Sequence, residues 1–350
     1  MAYFDNAATT IPIYTRSQFR VSDSWMNSNT PYAIKAKKSL LNSSNVIKKC
    51  LHVNNGIVLY FRCATEAIEW LSKFVPYRFF CLECSATAHD SVYNLINYIA
   101  KNEYKPGIWV DTLVNPVTGN ILSNDMREDL SNELTSSNYN TYVGCDYTAA
   151  VGHVPLPEKH NYDFIYFSGH KFGTEKGIGA MWVGKELAEY LNVTADSNNQ
   201  YDLVHGTVDV EGAAMLAFAM QVACNNQRIK IQNDRYKEFI STIFTNLKEN
   251  EINCEVIPEL DYDCPEPCYA INAIITPFNA DALATYLASK GIYVGVGHSA
   301  CSGLADYRVL KNMGYSDVAD KVIRISFAPN NTMSEVNRFC EEVIKFKELF

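Results

Sequence analysis

No run of basic residues long enough to follow a phosphate backbone occurs in this chain, and Lys+Arg 30 against Asp+Glu 39 leaves a net charge of −9. That balance argues against a nucleic-acid partner and points mainly to solubility. Long apolar runs are lacking as well: no stretch approaches the roughly 20 residues of a membrane-crossing helix, so no membrane association is expected. The start, Met1-Ala-Tyr-Phe-Asp, has neither a basic region nor a signal-like apolar core, and a cytoplasmic location is the expectation. Internal repeats and low-complexity linkers are absent too. Cysteine, in contrast, is plentiful at 11. The count is odd, and with no secretory signal the thiols read as reduced, mostly as buried small hydrophobes. Cys81-Leu-Glu-Cys84 and Cys264-Pro-Glu-Pro-Cys268 have spacings that could hold a metal. The first lies inside an apolar strand-like run with only His52 nearby upstream, and no metal is expected.

What is present is an ordinary globular composition, 47% hydrophobic and 20% charged, over 350 residues, a length that suggests two domains. Short apolar runs at 56–61, 79–82, 107–114 and 141–146 alternate with helix-like stretches, and each run ends in polar residues. Such alternation predicts a mostly parallel sheet with a site along the carboxyl ends of its strands. There Thr65, His89, Asn115, Asp146 and Lys171 would converge. The turn around Ala64 and Thr65 opens a helix whose free N–H groups could cradle a phosphate, a weak signal on its own. Residues 210–248 read as strongly helical. After them the pattern becomes half-exposed strands and helices, among them an Asn-capped helix at 279–290 and a strand at 322–327, which predicts a second, α+β unit.

The densest chemistry lies in Ser168-Gly-His-Lys171, on a turn between two apolar runs. A lysine held there meets low-dielectric surroundings that disfavour its ammonium form and leave an amine able to form a Schiff base. Ser168 and His170 can hydrogen-bond a phosphate or ring substituent, and the surrounding glycines let backbone approach a flat ligand. The plain alternative is a surface turn lysine beside glycine punctuation, against which Asp146 at the end of its own apolar run weighs.

These residues carry a resemblance. From Tyr3-Phe-Asp-Asn-Ala-Ala-Thr-Thr10 to Arg324-Ile-Ser-Phe327 the chain resembles class V, fold-type I pyridoxal-phosphate (PLP) enzymes, and within them the NifS/IscS-type cysteine desulfurases. Ser168-Gly-His-Lys171 and Lys176-Gly-Ile-Gly-Ala180 are the most specific matches. The resemblance implies an α/β fold with a large domain, 13–230, built on a mostly parallel seven-stranded sheet flanked by helices. A smaller α+β domain, 1–12 and 231–350, would carry the cysteine loop. It also implies PLP as cofactor, bound covalently through Lys171, with Asp146 on the pyridine nitrogen and His89 stacked on the ring. Ala64, Thr65, Ser168 and His170 would hold the phosphate, and Asn115 would face the cofactor. Thr207 would reach the phosphate of the partner subunit in a homodimer. Cys301, on the Gly-rich loop Tyr293-Val-Gly-Val-Gly-His-Ser-Ala-Cys-Ser-Gly303, matches the persulfide-forming cysteine, with a buried loop thiol as the plain alternative. His298 could lower its pKa or simply pack. Arg324 would grip the carboxylate of the substrate, L-cysteine, and the sulfur would pass to an acceptor protein.

The chain departs from the family pattern at several positions. Pro116 stands where a cofactor-facing asparagine is usual, Ala149 where a glutamine meets the cofactor's phenolic oxygen, and Cys63 where a glycine is expected. Two other readings therefore stay open: another class V enzyme, such as a selenocysteine lyase or an aminotransferase, and a non-catalytic NifS-like binding protein.

Overall fold

The computed structural model describes residues 1–26, 30–74, 82–84, 88–89, 91–92, 108–122, 142–192, 200, 203–204, 206–257, 268–297 and 307–349. The chain opens with β1 (Ala2–Phe4), continues through a short 3-10 turn at Arg16–Phe19, and enters α1 (Ile34–Cys50). Next come β2 (Ile57–Phe61), α2 (Ala64–Phe74), β3 (Leu82–Cys84), β4 (Ile108–Thr112), β5 (Tyr142–Asp146), β6 (Phe164–Ser168) and β7 (Gly179–Val183). These six strands form one sheet in the order β2-β7-β6-β5-β4-β3. Among the described residues it thus has six strands against the seven expected. The pairs β3–β4, β4–β5 and β5–β6 are parallel, whereas β7 runs antiparallel to both β2 and β6.

Every residue of β2, β6 and β7 is buried. Continuous rather than alternating apolar runs are what a strand covered on both faces requires. One face packs against Ala67, Ile68 and Leu71 of α2. The other packs against Ala36, Leu40 and Ile47 of α1. Gly144 and Phe164 are register partners on β5 and β6, and a Cβ at Gly144 would lie 2.0 Å from the Phe164 ring, so the missing side chain makes room for the aromatic one.

Beyond the sheet, α3 (Lys185–Tyr190) precedes two long helices, α4 (Val210–Ala223) and α5 (Asn226–Glu249). The single helical stretch expected at 210–248 is therefore two helices. The break has a local cause: Asn225 adopts an extended conformation and its side chain accepts the Arg228 N–H, capping α5 at a fresh start.

The second sheet is built from β8 (Glu255–Ile257), β9 (Ile271–Ile275), β10 (Ile292–Val296) and β11 (Val322–Ser326), in the order β1-β10-β11-β9-β8. Its helices are α6 (Ala280–Ser289), capped by Asn279, then α7 (Arg308–Asn312) and α8 (Met333–Lys347). The N-terminal strand β1 pairs parallel with β10, so the first residues of the chain belong to the last sheet. None of the described helices is long and apolar enough to cross a membrane.

Candidate active site

Strand ends bring the first group of candidates to one edge. Asp146 closes β5, in register with Thr112, the last residue of β4, and with Tyr166 of β6. Two residues beyond Tyr166, Ser168 closes β6 and Lys171 follows in a tight 3-10 turn, Gly169–Lys171. β2 runs in the same direction and delivers Cys63, Ala64 and Thr65 at the start of α2. There the Ala64 N–H donates to Ser168 Oγ at 2.7 Å, which ties the helix start to the lysine turn. A close approach makes this possible: a Cβ at Gly179 would sit 2.7 Å from the Phe167 carbonyl and 3.2 Å from Cys63 Cα.

Asp146 is buried, at 5% exposure. One carboxylate oxygen accepts the Thr148 N–H at 2.8 Å, and the other has no partner among the described residues. A buried carboxylate with an idle oxygen is suited to a cationic N–H donor. Lys171 is buried as well, and its ammonium donates to the Ala7 carbonyl. Burial pushes the pKa of His170 down to about 4, helped by the charges of Lys171 and Lys176, so its ring is neutral near pH 7. His170 Nδ1 lies 3.0 Å from Thr9 Oγ1.

The other candidates divide. His89 is half-buried just past the end of β3, with Nδ1 2.8 Å from Ser91 Oγ. Asn115 is buried, but its Oδ1 accepts the N–H groups of Val117 and Thr118, so this oxygen caps its own turn. Thr207 is exposed ahead of α4, and no hydrogen bond joins it to the rest within this chain among the described residues. Cys301 and His298 lie outside the described residues.

Arg324, on β11, is 1% exposed. Its Nη2 forms an ion pair with Asp5 Oδ1 at 2.6 Å, and Nη1 donates to the Pro116 carbonyl at 3.0 Å. Thus Pro116 offers a backbone oxygen to the arginine. The small polar residues of segment 5–10 mark it in the sequence as able to approach a ligand, but its role as the link between Arg324 and the Lys171 turn shows only in the structure. Asp5 holds Arg324, Asn6 donates to the Ser326 carbonyl, and the Ala7 N–H donates to Ser326 Oγ. On the other side Thr10 Oγ1 donates to the Lys171 carbonyl at 2.7 Å and the Thr10 N–H to that of His170. The hydroxyls and amide in Asp-Asn-Ala-Ala-Thr-Thr were the available signal: many small polar groups where a mere strand needs none.

His153 was missed in the sequence. It is buried, its Nδ1 lies 3.0 Å from the Ala149 carbonyl, and burial lowers its pKa, with a smaller contribution from Lys171. Lys171 and His153 share a cavity of about 30 Å³ with Thr10, Phe172 and Arg228. None of Ala64, Thr65, His89, Asn115 or Asp146 lines it. The carbonyl that His153 faces is the backbone oxygen of Ala149, a contact any residue at this position could make.

Asp146 at the end of β5 and Lys171 just past the end of β6 lie on the same edge of the sheet, and the segment 5–10 links the Lys171 turn to the buried Arg324. The family model described as aminotransferase class-V matches residues 109–339, more than half of the chain. The chain belongs to the class-V aminotransferase family. Class-V relatives include a protein named cysteine desulfurase IscS from Pseudomonas putida strain W619, 24% identical over 99% of this chain and 94% of that one. A protein of the same name from Methanosarcina thermophila is 28% identical, over 58% of this chain and 49% of its own length. Among solved structures, a NifS-like protein superposes with a TM-score of 0.82 at 21% identity over the whole of both chains. The NifS-like protein from Rickettsia africae gives 0.80 at 20% identity over 99% of each. The class-V chain described here therefore has the fold of NifS-like proteins, the fold-type I architecture.

Proposed function

We propose that this chain is a PLP-dependent cysteine desulfurase that converts L-cysteine to L-alanine and passes the sulfur to Cys301 as a persulfide, for delivery to an acceptor protein. The observation that carries the reading is the segment 5–10, which holds the Lys171 turn with one set of hydrogen bonds and Arg324 with another. An amine for a carbonyl cofactor and a guanidinium for a carboxylate are thereby fixed relative to each other, as an amino-acid substrate requires.

The residues at the sheet edge fit PLP. The idle oxygen of buried Asp146 suits the pyridine N–H, and a neutral His170 with Ser168, Ala64 and Thr65 suits a phosphate monoester; His89 would stack on the ring and Asn115 would flank it. When bound, PLP supplies an electron sink for the pair released at the substrate's Cα. Asp146 would hold the proton of the ring nitrogen, and Lys171 would be both the residue that carries the cofactor and the base that moves a proton to and from the substrate's Cα. Arg324 would grip the substrate carboxylate with its guanidinium. The Cys301 thiolate would take the substrate sulfur: a sulfur–sulfur bond forms as the carbon–sulfur bond breaks, the bond pair stays on the substrate's Cβ, and a proton added there completes the methyl group of alanine.

In this reading the two sheets are the cores of the two expected domains, 13–230 and 1–12 with 231–350. The protein acts in the cytoplasm as a homodimer in which Thr207 reaches the partner's phosphate site. Each hydrogen bond to the cofactor that Pro116 or Ala149 fails to supply costs roughly 1 kcal/mol of binding, which slows the enzyme without removing the chemistry.

The test is the PLP-loaded protein incubated with L-cysteine, with alanine quantified and Cys301 examined by mass spectrometry for added sulfur. Cys301→Ser is expected to retain PLP and lower sulfide release at least about a hundredfold. Sulfide release by that variant at the wild-type rate would favour a selenocysteine lyase or aminotransferase. A wild-type protein that takes up no PLP would favour a binding role.

A further inference from the structure

Arg324 is held by fewer partners than its burial calls for. At 1% exposure it has its Nη1 on the Pro116 carbonyl and its Nη2 on Asp5 Oδ1, while Nε has no hydrogen-bond partner among the described residues. A guanidinium presents Nε and Nη2 as one edge, spaced to match the two oxygens of a carboxylate. Here that edge is half used: Asp5 engages Nη2 and leaves the Nε–H idle, a state that costs free energy in a buried donor. Gly295, the register partner of Arg324 on β10, lets the ion pair pack directly against its backbone. A Cβ there would come within 2.8 Å of Asp5 Oδ1, 3.0 Å of Arg324 Nε and 3.1 Å of Nη2. Of the two charged partners only Asp5 reaches solvent, with 21% of its side chain exposed.

We propose that Asp5 is a specificity-determining residue, an internal carboxylate that occupies Arg324 in the empty site and that the substrate's carboxylate must displace to bridge Nε and Nη2. This rests on the reading of Arg324 as the substrate-carboxylate residue. Displacement is feasible because Asp5 is the solvent-facing member and can move its charge into water, whereas Arg324 cannot leave. The exchange swaps a one-point contact for a two-point contact and satisfies the idle Nε–H. It makes the site selective: a ligand without a carboxylate cannot release Asp5, and the buried arginine is never left unpaired while the site waits.

The test uses the PLP-loaded protein and its Asp5→Asn and Asp5→Ser variants, each checked for folding by circular dichroism. L-alanine and L-alaninamide are titrated by calorimetry, and KM is measured for L-cysteine. Both variants are expected to bind L-alanine about tenfold more tightly and to show a correspondingly lower KM, the scale of one charge-assisted hydrogen bond no longer competed for. Affinity for L-alaninamide is expected to stay within about twofold in the same series. Unchanged or weakened L-alanine binding in folded variants, or an equal gain for the amide, would overturn the proposal. Arg324→Gln separates the two ideas. If it weakens L-alanine binding while the Asp5 variants give no gain, the competitor role alone fails. If it leaves L-alanine binding intact, the carboxylate reading of Arg324 fails, and the role of Asp5 with it.

Discussion

Burial shifts His170 and Asp163 in opposite senses, and both bear on how this protein responds to acid. His170, with a folded pKa of about 4 against an ordinary 6.5, stays uncharged in the folded chain where the unfolded chain is protonated. Its contribution to stability is therefore present above pH 6.5 and is lost as pH falls from there towards 4. Asp163 has the opposite sign. Burial raises it to about 6 from 3.8, although it accepts the Val143 N–H at 2.8 Å, so its preference for the protonated form favours the folded chain at low pH and is lost as pH rises through 6. The two slopes oppose each other between roughly pH 4 and 6, and wild-type stability alone hides both. The His170→Asn variant isolates one of them. Relative to that variant the wild type is expected to lose stability steadily from pH 6.5 to 4 in urea unfolding. A wild-type-minus-variant difference that stays flat across this window would contradict the buried, neutral assignment.

Secondary-structure elements here are fixed by small residues as much as by large ones. On β5, Gly144 faces the ring of Phe164 on β6, and the sheet keeps its register around that pair. Gly144→Ala forces a methyl group into a ring contact of 2.0 Å, and the strands must part or Phe164 must leave its rotamer. The expected cost is roughly 1–3 kcal/mol by chemical denaturation, the range for overpacking a close-packed core. Because β5 ends on Asp146, the same substitution is expected to weaken PLP retention. Helix starts show the complementary device: Asp209, Asn225, Asn279 and Thr332 each accept an N–H of the first turn of α4, α5, α6 and α8. Three of these helices have starts that the sequence had not marked as caps, since an Asp or Thr among many polar neighbours carries no distinct signal until the chain direction is known.

At the scale of the whole molecule, several large apolar side chains face solvent. Trp25, Ile34, Leu41 and Phe218 are exposed by 79%, 68%, 61% and 44%, and a groove of about 660 Å³ runs between α1 and α4 beside Phe218 and Val46. Exposed apolar area of this kind is characteristic of an interface between copies. The homodimer proposed above is expected as a dimer mass in sedimentation equilibrium. Leu41→Glu combined with Phe218→Glu is expected to shift it to monomer and to lower activity, because Thr207 then has no partner site to complete. A wild-type protein that remains monomeric with full activity would remove both the interface and the shared site.

Local pattern alone determined that strands alternate with helices, that the sheet is covered on both faces, and that Asp146, Ser168 and Lys171 lie at strand ends. The reason is that burial on two faces imposes continuous apolar runs, and the polar residue that ends each run marks the edge. The motif around Lys171 was legible for the same reason. The family resemblance already grouped residues 1–12 with the C-terminal part of the chain, but only the tertiary structure decided which strand β1 joins and in which direction. Three residues long, it carries no periodicity, and its partner β10 is the strand 292–296 near the other end of the chain. That pairing carries Asp5 to Arg324 and Ala7 to Lys171, contacts between positions 319 and 164 residues apart. Nor did the sequence disclose that Pro116 would serve Arg324 through its carbonyl, or that Asn115 would turn its oxygen to its own loop. Backbone groups are the same in every residue, and only the folded path decides which side chain they meet.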